Sequence, residues 1–146
     1  MNVVKSIVLG FIAGALAALT ALMVMEIVWA QTSFRPQLLF PAGLLSGEFT
    51  YINDIVWGGI WGAIMGLVYG ALPQGPLTFK GFIFGVIGPG LIGIAALMFL
   101  PSVIGAGSGP DLSDVVGMLQ RFVSAGVWGA VTGWLYGLFC YQRLPC

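Results

Sequence analysis

The sequence has no histidine and little charge. Of its 146 residues only 7% are charged, with five Lys/Arg against five Asp/Glu. Soluble domains carry about 25% charged residues. So little charge excludes a soluble enzyme, a disordered tail and a nucleic-acid binder. The missing histidine removes the commonest general base, metal ligand and haem ligand. Cysteine is scarce too. Cys140 and Cys146 match no zinc spacing, and both are expected to be reduced thiols if their end of the chain faces the cytoplasm.

Motifs of known chemistry are missing as well. No Walker loop and no strand-linked G-x-G-x-x-G occurs. Without histidine, a Ser–His triad cannot be built. No acid–base pair lies inside an apolar stretch. These absences predict a noncatalytic protein with no cofactor and no metal.

What the chain does have is apolar length, with 59% of residues hydrophobic. Residues 6–25, 55–79, 81–110 and 122–142 contain no charged side chain, and each window is at least 20 residues long. A helix needs about 20 apolar residues to cross about 30 Å of hydrocarbon. Lipid cannot satisfy free backbone groups, so such stretches are read as helices. Four spans are predicted, at 4–29, 53–72, 79–100 and 117–140. A transmembrane barrel would show short alternating strands, and that pattern is missing. The first window is also too long for the 7–15 residue core of a signal peptide.

The few charges are unevenly placed. Lys5, Lys80 and Arg143 fall on one side of a four-span chain with no acid beside them. Arg35 and Arg121 fall on the other side, with Glu26, Glu48, Asp54, Asp111 and Asp114. Lys/Arg enrichment marks cytoplasmic loops, which puts both termini in the cytoplasm. The segments 30–52 and 101–116 then lie outside.

The second and fourth spans resemble each other. Ile60–Gly70 aligns with Val127–Gly137 at an offset of 67, sharing W-G-A-x-x-G-x-x-Y-G. The first and third spans align more weakly at an offset of 75, through Lys5/Lys80, Gly10/Gly85 and the Ala-Leu-Met triplets at 21–23 and 96–98. The predicted fold is all-α. It is an integral membrane four-helix bundle of two tandem parallel two-helix repeats, with halves at 4–72 and 79–140. Parallel repeats are related by an axis along the membrane normal.

Glycines mark the repeated spans. Gly58, Gly62, Gly66 and Gly70 are four apart, as are Gly129, Gly133 and Gly137. Residues four apart share one helix face. Small residues on that face let backbones approach in lipid, where no hydrophobic force joins helices. The stripes are expected to pack the second span against the fourth, or else against a partner subunit. Gly10/Gly14 and Gly81/Gly85 are shorter copies. Pro89, inside Gly88-Pro89-Gly90, predicts a kink in the third span.

Glu26, Asp54 and Arg121 are expected near the outer interface. The alignment makes Asp54 and Arg121 equivalent in position and opposite in charge, which suggests an ion pair with Glu26 beside it. Intramembrane ionisable residues are also candidates for a transport role. Trp61 and Trp134 lie too deep for an interfacial belt, and are read as filling glycine-made hollows or bordering lipid, quinone or pigment. Pro41 suits a helix first turn, so 41–48 is a candidate short interfacial helix. Asp111 or Ser113 is the expected cap of the fourth span.

The run Val56-Trp57-Gly58-Gly59-Ile60-Trp61-Gly62, after a Pro-containing outer loop, resembles an uncharacterised family of small four-span bacterial inner-membrane proteins. The resemblance implies a bacterial inner membrane and supplies no activity or site residue. Two functions fit these observations. One is a noncatalytic structural or accessory subunit of a larger membrane complex, respiratory or photosynthetic in type. The other is a small oligomeric channel or transporter using Glu26, Asp54 and Arg121. Expected partners are membrane lipid and either other membrane subunits or further copies of the chain.

Overall fold

The computed structural model describes residues 3–31, 50–69, 75–104 and 113–143. All regular structure among them is helical. Helix α1 is Val3–Gln31 and α2 is Thr50–Val68. The third span is α3 (Leu77–Gly85), a π-helical segment Val86–Ile92 and α4 (Gly93–Ile104). Helix α5 is Val115–Arg143. Three stretches are long and apolar enough to cross a membrane: Val3–Val24, Leu77–Ala96 and Val115–Cys140. The apolar part of α2, Asp54–Val68, is shorter. We therefore read the chain as a membrane protein.

The first and last helices exceed the predicted spans at both ends. At 29 residues each, they reach about 44 Å at 1.5 Å per residue, more than the hydrocarbon thickness. The expected interfacial helix at 41–48 lies outside the described residues. The cap of α5 differs from expectation. Asp114 takes that place: its Oδ1 accepts the Gly117 N–H at 2.9 Å. An Asp at this position satisfies an amide that the helix itself cannot. Asp111 lies outside the described residues.

Pro89 is accommodated by a change of helix type. Proline has no N–H to give to the carbonyl four residues back, and its ring crowds that carbonyl. Widening the turn to the π form relieves both problems. The segment Val86–Ile92 does this around Pro89, with Gly88, Pro89 and Gly90 all buried.

Helix α1 packs along α2, α3 packs along α5, and α1 also lies on α5. The core lies among these helices. It holds Ala13, Ala17, Ala18, Met65, Phe84, Trp128 and Tyr136. A second cluster joins Ile94 and Met98 of α4 to Met118, Phe122 and Ala125 of α5.

Candidate functional site

The glycine stripes close each helix onto its neighbour in sequence. A Cβ built on Gly62 would overlap the Gly10 carbonyl oxygen and stand 2.8 Å from the Gly14 Cα. One on Gly14 would overlap the Gly58 carbonyl oxygen. Gly66 faces the Ser6 carbonyl in the same way. The glycines of α2 therefore face α1, and the expected packing of second span on fourth is corrected. Just past the end of α2, the Tyr69 ring lies 5.1 Å from the Tyr136 ring of α5. Consecutive antiparallel helices use the stripe because backbone-to-backbone approach needs small residues on both partners, and Gly10 and Gly14 supply them.

Helices α3 and α5 meet in the same manner. A Cβ on Gly129 would overlap the Gly81 carbonyl oxygen and stand 2.7 Å from the Gly85 Cα. Gly133 faces the Leu77 carbonyl, as Gly66 faces that of Ser6. The correspondence extends to the aromatics. A Cβ on Gly59 would lie 2.6 Å from Phe11 Cε2, and one on Gly126 would lie 2.6 Å from Phe82 Cε2. Gly137 meets only the Leu77 side chain, and Gly70 lies outside the described residues.

These contacts change the alignment of the first and third spans. Gly10 corresponds to Gly81 and Gly14 to Gly85, an offset of 71 rather than 75. This correspondence differs from the expected one by one helical turn. The sequence carries the same correspondence: Gly10-Phe11-Ile12-Ala13-Gly14 matches Gly81-Phe82-Ile83-Phe84-Gly85 at four of five positions.

Between the two helix pairs runs a buried polar face of α5. Ser124, Trp128, Thr132 and Tyr136 recur every four residues, so they share one face, and all four are buried. Trp128 Nε1 donates to the Gly14 carbonyl oxygen at 3.2 Å. Thr132 Oγ1 donates back to the Trp128 carbonyl at 2.8 Å, which satisfies the hydroxyl locally. Ser6 Oγ donates to the Gly66 carbonyl at 2.6 Å. Its single proton is thereby used, so Tyr136 donates in its 2.5 Å contact with Ser6 Oγ. The Ser124 hydroxyl is buried with no hydrogen-bond partner among the described residues. Sequence reasoning missed this face, because Trp128 and Tyr136 entered only as part of the repeated motif and Ser124 and Thr132 were passed over.

The remaining predicted residues divide. Trp61 is half-buried, edge-on to Phe84 with ring centroids 6.3 Å apart. It also lines the space beside Gly88, where a Cβ would lie 3.3 Å from its ring. Trp134 is 54% exposed and faces away from the interior. Asp54 stands in the first turns of α2 and Arg121 in the second turn of α5, both half-buried. Arg121 has a partner, and no ion pair joins it to Asp54 among the described residues. Glu26 lies on α1, and its side chain is outside the described residues. Cys140 is disulfide-bonded, which corrects the expectation of reduced thiols.

Known proteins add no identity to this geometry. No protein-family model, curated protein or solved structure matches the chain.

Proposed function

We propose that the chain is a noncatalytic structural or accessory subunit of a larger bacterial membrane complex. It is built as two tandem helical hairpins in a four-helix bundle. One observation carries this reading: the interior is given over to close packing. Glycine-lined backbones meet at Gly62–Gly10 and Gly129–Gly81, and Trp128, Thr132 and Tyr136 seal the space between the hairpins. Buried hydroxyls and the indole N–H mostly point at backbone carbonyls. A transporter would present such groups to a solute path. The channel reading therefore takes second place, since Asp54 and Arg121 form no ion pair with each other among the described residues. The test is gentle detergent extraction followed by mass spectrometry of the chains recovered. Other chains at fixed stoichiometry support the proposal, and this chain alone counts against it.

The proposed location is the bacterial inner membrane, with both termini cytoplasmic. Lys5, Lys80 and Arg143 without any accompanying acid favour that orientation. The Cys140 disulfide points the other way, because disulfides persist in oxidising compartments. We give the charge asymmetry precedence, since insertion fixes orientation before thiol chemistry acts on the chain. Once the disulfide has been reduced, both cysteines are then expected to lie on the cytoplasmic side. They should label with a membrane-permeant maleimide and not with an impermeant one. Labelling by the impermeant reagent, only after reduction, would reverse the orientation.

A further inference from the structure

The basic end of the molecule carries a phenol and an ammonium that the packing leaves available. The start of α1, the end of α2, the start of α3 and the end of α5 meet there. The Lys80 ammonium sits 4.6 Å from the centre of the Tyr69 ring. That ring packs on Tyr136 at 5.1 Å, which holds it in place. The Tyr136 hydroxyl is committed to Ser6, and Ser6 to Gly66. The Tyr69 hydroxyl makes no hydrogen bond among the described residues. Lys5 stands next to Ser6, half-buried on the same end. A cation over a ring face satisfies its charge but leaves its three N–H donors without an acceptor. Among the described carboxylates, Asp54 stands near the start of α2 and Asp114 at the start of α5, at the opposite ends of those helices from Tyr69 and Tyr136.

The Lys80 ammonium and the Tyr69 hydroxyl, at an end where Lys5 also lies and with no described carboxylate, suit an anion with several acceptor oxygens. At a membrane surface the abundant anion of that kind is a lipid phosphate. We propose that Lys80 and Tyr69, with Lys5 beside them, bind the phosphate of an anionic phospholipid headgroup. Lys80 supplies charge and N–H donors, and Tyr69 supplies an O–H donor. The Ser6–Tyr136–Gly66 hydrogen bonds fix the platform on which the pair rests. Basic residues at a membrane surface attract anionic lipid, and the ring fixes where this lysine presents its charge.

The experiment is native mass spectrometry of the purified full chain with phosphatidylglycerol or phosphatidylcholine of identical acyl chains. The expected result is preferential retention of phosphatidylglycerol. Lys80→Gln is expected to cut that preference about fivefold, the usual effect of one basic residue at an anionic surface. Tyr69→Phe keeps the ring and its packing, and is expected to lower retention with no change in melting temperature. If Lys80→Gln does not fold, Tyr69→Phe decides. Equal retention of the two lipids, or wild-type retention by a folded variant, overturns the proposal. Displacement of the lipid by equimolar inorganic phosphate also overturns it, because the ligand would then be a free anion.

Discussion

Gly62→Ala is expected to lower the melting temperature of the detergent-purified protein by several degrees. The added methyl meets the Gly10 carbonyl oxygen and the Gly14 Cα, both backbone atoms of α1. Neither can rotate away, so the two helices must separate. Overpacking a close contact costs about 1–3 kcal/mol, and each kcal/mol moves the melting point of a chain this size by about 2–4 °C. Helix propensity works against the effect, since Ala is favoured over Gly by about 1 kcal/mol. The clash prevails because every close atom is backbone. Gly129→Ala is expected to behave alike, through the Gly81 carbonyl and the Gly85 Cα. Gly75→Ala is the control. Its Cβ would lie 3.6 Å from Phe79, an ordinary contact, so its melting point should stay at the wild-type value. Equal melting of Gly62→Ala and Gly75→Ala would show that the stripe is not a close contact.

Trp128→Ala is expected to be the most damaging change to a side chain in the interior. The indole is 1% exposed and spans from α5 to the Gly14 carbonyl on α1. Truncating a buried Trp to Ala costs about 3–5 kcal/mol, because the hollow left behind cannot be filled by rigid helices. Thermal unfolding measures this, and Trp134→Ala is the comparison. Trp134 is 54% exposed and is expected to leave the melting point nearly unchanged. Trp128→Phe should fall between the two, as it keeps most of the volume and loses one hydrogen bond. If both alanine variants melt alike, Trp128 does not join the hairpins.

These effects show which parts of the structure the sequence made legible. Charge-free windows located the helices well, because lipid allows almost no other backbone form. Their ends were less clear, since α1 and α5 continue past the apolar stretch with no Gly or Pro to stop them. Gly62 and Gly129 were recognised as close-packing positions from their spacing alone. The helix each one faces was misjudged, because spacing shows which residues share a face and not what that face meets. Gly10 and Gly14 held the answer. Their match to Gly81 and Gly85 was obscured by a competing alignment through Lys5 and Lys80. The buried face of Ser124, Trp128, Thr132 and Tyr136 was hidden for another reason. Each residue has a routine place in a membrane helix, and only their common direction toward α1 makes them a unit. Asp54 and Arg121 were paired by alignment, yet equivalent positions in two hairpins need not be neighbours.

Packing and function are joined by one physical point. In lipid a helix gains nothing by burying apolar surface against another helix, so association rests on shape and hydrogen bonds. This chain commits both to contacts among its own helices, and many of its outward side chains are apolar. Val8, Ile12, Leu16, Leu19, Val123 and Val127 are among the exposed side chains.

The most direct measurement is the native mass of the protein extracted from its own membrane with a mild detergent. The account predicts a mass that contains this 15.4 kDa chain together with other chains, in a constant ratio across preparations. A mass equal to a simple multiple of 15.4 kDa, with no second chain, would contradict it.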